Sequence, residues 1–181
     1  MARVITSASN PEVKNILRLI YKPKERKEQN LFVVEGVREV AMAINAGVRV
    51  LKLLFCPDMI EPERITSFVA MSAVGFEVIE ISSAVFDRLA YRAESGGVIA
   101  LAEPKRLTLD DLTPGEMPLY LVIETVEKPG NLGALLRTAD AAAVDAVFVC
   151  DPGTDLYNPN VIRSSIGCIF TLPVVVCTSE Q

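Results

Sequence analysis

Short apolar segments alternate with amphipathic helical segments along the first hundred residues, and this alternation is the feature that most limits the fold. Four segments have the apolar pattern of strands: 31–34, 50–56, 76–81 and 98–102. Helices are predicted between them, and the Asn10-Pro11 pair is typical of the start of the first one. The charged segment 21–30 is expected to be an exposed turn or a frayed helix end. We therefore expect an α/β domain over residues 1–103, with βα units and a small, largely parallel sheet.

A change in character at residues 104–118, where prolines are frequent and apolar residues sparse, predicts a linker. The segment 119–181 then alternates again, which predicts a second parallel sheet with right-handed crossovers. Its predicted elements are strands 119–126, 146–150 and 170–176 and helices 132–144 and 158–167. In the first of these helices Arg137 lies outside the apolar stripe and is expected to face solvent or a cleft. That stripe consists of Leu132, Leu135, Leu136, Ala139 and Ala143.

The composition excludes several kinds of site. The chain of 181 residues has no histidine, which removes Ser–His and Cys–His catalytic pairs and every histidine-ligated metal site. Its four cysteines form no CxxC pair, so we expect reduced, mostly buried thiols in a cytosolic protein. No apolar run reaches the roughly 18 to 20 residues that span a bilayer. We therefore expect no metal and no membrane partner.

The charge is unevenly distributed. The formal net charge is −5, but residues 1–30 contain seven Lys and Arg against three Glu and so carry +4. A basic segment on an acidic body can bind phosphate groups locally. The alternative is a solvated, charged first helix that binds nothing.

The loop at 127–133 is the best candidate site. It joins a predicted strand to a predicted helix and contains Gly130, Asn131 and Gly133. Ligand sites of open α/β sheets lie at the carboxyl ends of the strands, where helix N termini present free N–H groups. Neither a GxGxxG nor a GxxxxGK[ST] motif is present, so a plain βα connection is the alternative.

The sequence Pro-Gly-Asn-Leu-Gly-Ala-Leu-Leu-Arg-Thr-Ala at 129–139 resembles the first signature motif of the SpoU/TrmH family, RNA ribose 2′-O-methyltransferases of the SPOUT class. Segments 160–167 and 170–174 resemble the part that follows in that family. Segments 32–38 and 96–100 resemble its substrate-binding domain, an L30e-like α/β module. Two departures are Lys128, where the family often has Asp, and Ala143, where it often has Gly.

The resemblance implies a domain organisation. Residues 1–103 would form the L30e-like RNA substrate-binding domain, 104–118 the linker, and 119–181 the amino-terminal part of a SPOUT domain of the trefoil-knot type. The Gly-x-Glu and Pro…Ser-Leu-Asn motifs, which come next in the family and build its knot and cofactor pocket, do not follow segment 170–174 in this sequence. We therefore expect a C-terminally truncated chain that contains no cofactor-binding residues and is inactive alone.

The resemblance also implies a reaction. Methyl transfer from S-adenosylmethionine to a ribose 2′-hydroxyl is expected, on ribosomal more than transfer RNA, in a cytoplasmic protein that is a homodimer when complete. The family motif assigns catalysis to Arg137 and Asn131; Arg137 would act as a base or as a phosphate clamp, or else only pair with Asp140. Candidate RNA contacts are Lys22, Lys24, Arg26, Lys27 and Arg163, with a surface role as the alternative for each. A non-catalytic RNA-binding protein and an α/β enzyme for another nucleotide are the rival functions.

Overall fold

The computed structural model describes residues 3–91 and 96–181, which form two compact units, Met1–Pro104 and Lys105–Gln181. Unit 1 is built on a five-stranded sheet in the order β1-β4-β3-β5-β2. Its strands are β1 (Arg3–Ile5), β2 (Phe32–Glu35), β3 (Val50–Phe55), β4 (Glu77–Ile81) and β5 (Val98–Ala102). Its helices are α1 (Pro11–Tyr21), α2 (Pro23–Gln29), α3 (Val37–Asn45), α4 (Pro62–Met71) and α5 (Ser83–Leu89).

The sheet of unit 1 is mixed: two of its four strand pairings are parallel and two are antiparallel, so the expectation of a largely parallel sheet is wrong for half of the pairings. Strands β1, β4 and β3 are parallel, but β5 lies between β3 and β2 and runs antiparallel to both. Directly before β5, Gly97 has a φ of 74°, and an added Cβ would lie 2.7 Å from Cβ of Met59. Only glycine accepts both the left-handed backbone and this close approach.

Helices cover both faces of this sheet. Helices α1 and α5 pack against one face, where Ile16, Phe86 and Ile99 are among the residues of a continuous apolar core. Side chains alternate along a strand, and Ala100, which points to the other face, is also fully buried. Helix α3 contacts β2 and β5 and packs beside α4. Unit 1 is therefore a three-layered α/β/α domain.

Local signals set the start of α1, but the segment after it differs from the prediction. The Asn10 side chain accepts a hydrogen bond from the Glu12 N–H at 2.8 Å, as expected of a helix cap. Residues 21–30 contain α2 instead of the expected turn or frayed end. Pro23 is the first residue of α2, and Asn30 ends it in the left-handed conformation with a φ of 52°.

Unit 2 has a three-stranded, fully parallel sheet in the order β6-β7-β8. Its strands are β6 (Tyr120–Glu124), β7 (Ala146–Cys150) and β8 (Val174–Cys177), and its helices are α6 (Pro129–Ala141), α7 (Pro159–Ser164) and α8 (Cys168–Thr171). The parallel βαβ arrangement is confirmed. Residues 105–118 belong to this unit, and Leu107 pairs with Val175 as an isolated parallel bridge.

Two predicted boundaries of unit 2 are wrong. The helix expected to run to Gly167 ends at Ser164, because Ile166 and Gly167 adopt left-handed backbone conformations with φ of 53° and 87°. The residues that follow form α8, so β8 begins at Val174 instead of residue 170. A left-handed isoleucine has no signature in a sequence, and the apolar run by itself therefore predicts a single strand.

Helix α6 also differs in its buried stripe. Leu136 is fully buried, but Leu135 is 37% exposed and Ala143 is exposed, so neither belongs to the core as expected. Ala143 follows the helix end with a φ of 52°. Its N–H donates to the Asp140 carbonyl, and the Val144 N–H donates to the Ala139 carbonyl. This is a Schellman motif, whose left-handed position favours glycine.

Candidate active site

The carboxyl edge of the unit 2 sheet is shaped by two strained turns. Thr125, directly after β6, has a φ of 50°, and Asp151, directly after β7, has a φ of 44°. Their N–H groups donate to the carbonyls of Cys150 and Cys177, each at 3.0 Å, so each strand pairs for one more residue and then turns sharply. Non-glycine residues in this conformation cost of order 1–3 kcal/mol and cluster at functional sites.

The two loops that leave this edge contact each other. The Gly153 N–H donates to the carbonyl of Val126 at 3.0 Å, and a Cβ on Gly153 would lie 3.1 Å from Cγ of Glu127. The Ser179 N–H donates to Oδ2 of Asp151 at 2.9 Å, and the side chain and backbone of Ser179 lower the pKa of that carboxyl. The loop after β6 is therefore held in place where it leads into α6.

Helix α6 begins at this edge without a side-chain cap. Lys128 is the N-cap and Pro129 the first helical residue. The N–H groups of Asn131 and Leu132 turn back to the Lys128 carbonyl at 3.0 and 3.1 Å. An added Cβ on Gly130 would meet no atom within 4 Å. The start of α6 is therefore an open surface with the partial positive charge of a helix N terminus.

Helix α7 packs directly against the first turns of α6. A Cβ on Gly133 would overlap Oγ of Ser164 and would lie 2.7 Å from the backbone nitrogen of Ser165. The Ser164 hydroxyl lies 2.5 Å from the carbonyl oxygen of Asn160 and 3.4 Å from that of Pro129. The close contact fixes α7, and with it Asn160 and Arg163, beside the start of α6.

The two residues assigned to catalysis, Asn131 and Arg137, are both exposed on α6. They are six residues apart, which separates them by about 9 Å along the helix and by about 120° around it. The structure therefore places both on the accessible surface of one rigid helix but does not bring them together within α6.

Arg137 does not pair with Asp140. Within residues 3–91 and 96–181 no carboxylate forms an ion pair with Arg137, and Asp140 instead accepts a hydrogen bond from the Thr171 hydroxyl at 2.8 Å. Burial and the charge of Asp140 raise the pKa of the Cys168 thiol, and the charge of Arg137 opposes that rise. The guanidinium thus lies near the start of α8 and is available to an anion.

Arg163 has a structural contact as well as a candidate role. It is half-buried on α7, and its Nη2 donates to Oδ1 of Asn160 at 2.7 Å. This bond spans three residues of one helix and orients the guanidinium.

In unit 1 the basic residues after α1 are not equivalent. Lys22, Lys24 and Lys27 are exposed, and Lys24 lies 3.6 Å from Glu28. Arg26 is only 4% exposed, and its Nη1 donates to backbone carbonyls at the end of α1. Carbonyls at a helix end lack partners within the helix, and Arg26 supplies one. This corrects the expectation that Arg26 contacts RNA.

A groove in unit 1 contains residues that the sequence pattern did not single out. It has a volume of about 390 Å³ and is lined by Leu17, Arg18, Tyr21, Lys22 and Arg88. Only Lys22 was among the predicted RNA contacts. The short spacing of Arg18, Tyr21 and Lys22 around the end of α1 was the available signal, but Arg88 comes from α5 and could not be associated with them without the fold.

Neither a metal site nor a membrane span is found in the described ranges. No group of three or more His, Cys, Asp or Glu there is placed to hold a metal ion. None of the helices described is long and apolar enough to cross a bilayer.

Comparison with known proteins divides the chain in a similar way. Residues 10–100 match the MRM3-like substrate binding domain, and residues 118–181 match the SpoU rRNA Methylase family. The 23S rRNA (guanosine(2553)-2′-O)-methyltransferase RlmP of Bacillus subtilis is 32% identical over 171 residues, which are 94% of this chain and 64% of that protein. The 23S rRNA (uridine(2479)-2′-O)-methyltransferase of Streptomyces viridochromogenes is 30% identical over 178 residues, 96% of this chain and 60% of that protein.

A solved structure shows the same likeness. The AdoMet-bound rRNA methyltransferase from Sinorhizobium meliloti has a TM-score of 0.84 and 29% identity, over 99% of this chain and 66% of that one. The chain therefore spans about three fifths to two thirds of the length of these proteins.

Proposed function

We propose that this chain, which belongs to the SpoU rRNA methylase family, acts in ribose 2′-O-methylation of ribosomal RNA with S-adenosylmethionine as the methyl donor. The observation that carries the proposal is the exposed guanidinium of Arg137, which has no ion-pair partner among the described residues, on a helix that starts at the carboxyl edge of the parallel sheet. The two curated relatives named above methylate a guanosine and a uridine. The ribose is what those two acceptors share.

The fit of the cofactor to this chain is partial. The uncapped start of α6 and the open space beside Gly130 suit an anionic or hydroxyl oxygen of a ligand. The family motifs that build the pocket do not follow segment 170–174 in this sequence, so we assign no residue here to hold the cofactor and derive no step through it. When bound, S-adenosylmethionine supplies the methyl group that replaces the proton of the 2′-hydroxyl.

We propose that Arg137 contacts the RNA and does not act as the base that removes the 2′-hydroxyl proton. A guanidinium stays protonated at any working pH and is therefore a poor base. It is well suited to grip a phosphate with two parallel N–H donors. Such a grip would position the ribose next to the clamped phosphate, and Asn131 and Arg163 are proposed to contact the RNA or order the site around it.

The test is methylation of ribosomal RNA in cells. Deleting the gene should remove one ribose methylation, detectable by mapping 2′-O-methyl positions, and restoring the gene should return it. In a rate assay, the Arg137→Ala protein should methylate at about 1% of the wild-type rate or less, which is the usual scale for losing a positioned group. If Arg137 clamps a phosphate, Arg137→Lys should raise KM for RNA more than it lowers kcat.

The control lies on the same helix. Leu136 is fully buried, so Leu136→Ala should cost roughly 2 to 5 kcal/mol of stability, whereas Arg137→Ala should change it by less than about 1 kcal/mol. An unchanged methylation pattern after gene deletion would contradict the enzyme proposal and favour a non-catalytic RNA-binding protein. Near-normal turnover of Arg137→Ala would contradict the assignment of Arg137.

The homodimer, the cytoplasmic location and the trefoil knot also belong to this proposal and rest on the resemblance. Exposed apolar side chains on and before the edge strand β6, Leu119 and Val122 among them, offer a surface that a second subunit can cover. Light scattering of the purified protein would give the mass: a monomer at micromolar concentration would contradict the dimer.

A further inference from the structure

We propose that the groove between α1 and α5 binds single-stranded RNA, with one base stacked on Tyr21 and phosphates held by Arg18, Lys22 and Arg88. This inference rests on the proposed function, because it names the form of RNA that unit 1 recognises. Both helices belong to unit 1, so the groove is formed within one folded unit.

The first observation is the charge of the groove. Arg18 is exposed on α1, Lys22 is exposed at the residue directly after α1, and Arg88 is exposed on α5, which packs against α1. Over residues 3–91 and 96–181 none of the three forms an ion pair. Lys24 and Arg26 differ, because Lys24 lies near Glu28 and Arg26 is buried against backbone carbonyls. The groove therefore brings together three cations that are free to bind an external anion.

The second observation is the exposed aromatic ring. Tyr21 is 67% exposed at the last position of α1, while Leu17, one turn earlier, is half-buried and packs against the apolar core. A ring and an aliphatic side chain side by side, bordered by cations, form a surface on which a base can stack. Because the Tyr21 ring is not packed in the core, its face is accessible for stacking with a nucleobase.

The shape and the chemistry together select a single strand. A volume of about 390 Å³ is within the range of small-ligand pockets and leaves room for a nucleotide. In an RNA duplex the faces of the bases are stacked on one another and cannot reach Tyr21, whereas unpaired bases can be splayed onto an aromatic side chain. An acidic peptide would satisfy the cations but would leave the ring without a stacking partner.

The experiment measures binding of the whole chain to a fluorescent oligouridine of about twelve nucleotides by anisotropy, at several salt concentrations. Arg18→Ala combined with Arg88→Ala should weaken binding and lower the slope of log Kd against log salt by about 1.4, which is about 0.7 for each phosphate that the variant no longer neutralises. Tyr21→Ala should weaken binding about 5- to 150-fold with an unchanged slope, and Tyr21→Phe should bind normally.

The matched control removes the same charge from α2. Lys24→Ala combined with Lys27→Ala should change affinity by less than about twofold, because neither residue lines the groove. All five positions are exposed, so thermal melts should show every variant folded. Unlabelled single-stranded RNA should compete better than a duplex of equal length, and a polyglutamate peptide should not compete.

Three results would overturn the proposal. The first is salt-dependent RNA binding that the groove variants leave intact while the α2 variant weakens it. The second is a preference for duplex RNA with no effect of Tyr21→Ala, and the third is tighter binding of polyglutamate than of RNA. None of these bears on rRNA methylation in cells, so the failure of the groove and the failure of the enzyme proposal are separable.

Discussion

Substitution of Gly133 by alanine tests whether the packing of α7 on α6 holds the site together. Alanine in a helix interior normally stabilises by about 1 kcal/mol relative to glycine. At Gly133 the added Cβ would overlap Oγ of Ser164 and would lie 2.7 Å from the backbone nitrogen of Ser165, where ordinary contacts begin at 3.4 Å. The backbone nitrogen must therefore retreat by about 0.7 Å, which moves α7 itself and not only a side chain.

The size of the effect follows from this displacement. Overpacking a buried contact costs typically 1–3 kcal/mol, and the need to move backbone places Gly133→Ala at about 3 kcal/mol. Subtracting the gain in helix propensity leaves a net loss of about 2 kcal/mol. For a chain of this length, that corresponds to a fall in Tm of roughly 4–8 °C in a thermal melt followed by circular dichroism.

The chain offers a control and a partial rescue. Gly130 is in the same helix, and a Cβ there meets nothing within 4 Å, so Gly130→Ala should leave Tm unchanged or raise it. Adding Ser164→Gly to Gly133→Ala removes the overlap with the serine side chain but keeps the close approach to the Ser165 nitrogen, and should recover part of the stability. A Gly133→Ala protein that melts at or above the wild-type Tm would refute the packing argument.

Two further changes follow from charge and backbone conformation. Burial alone would raise the pKa of Glu77, but its hydrogen bonds and charge interactions with Lys52 and Arg3 lower it. The ionised carboxylate therefore stabilises the fold at pH values above the ordinary glutamate pKa, and this contribution is lost as the pH falls through the lowered pKa. Denaturant titrations should show Glu77→Gln less stable by under about 1 kcal/mol at pH 7, with a difference that shrinks as the pH falls below the ordinary glutamate pKa; a constant difference would contradict the linkage. Ala143→Gly relieves a left-handed backbone at the end of α6 and should stabilise by about 0.5–1 kcal/mol after the entropy of the unfolded chain is counted, so an unchanged or lower Tm would contradict the strain.

Features encoded by neighbouring residues were predictable from the sequence. The Asn-Pro pairs at 10–11 and 158–159 both start helices, and in each the asparagine side chain accepts a backbone N–H at 2.8 Å, from residues 12 and 160. The parallel order of the second unit followed from the alternation of strands and helices with short connections. Such signals act within one turn of helix or one loop, so they do not depend on the rest of the fold.

Features that depend on tertiary contacts were not predictable. The antiparallel insertion of β5 between β3 and β2 is decided by which strand edges are available, and an apolar run carries no direction. Arg26 has the same local composition as its exposed neighbours, and only the carbonyls at the end of α1 explain its burial. A helical wheel gives the angle at which a side chain leaves the helix but not how far the neighbouring elements extend around it. Leu135 therefore fell within the predicted apolar stripe although it is 37% exposed.

For the proposed binding of RNA, net charge is a poor guide, and the ion pairs explain why. A chain of net charge −5 would repel a polyanion if its charges acted at long range. At physiological salt, charges beyond about 8 Å are largely screened, so a phosphate responds to the few groups next to it. Arg3 and Lys52 are held by Glu12 and Glu77, whereas the cations of the α1–α5 groove have no such partners in the described part of the chain. The proposed RNA contact therefore depends on which lysines and arginines are already neutralised within the fold, and that property is visible only once the chain is folded.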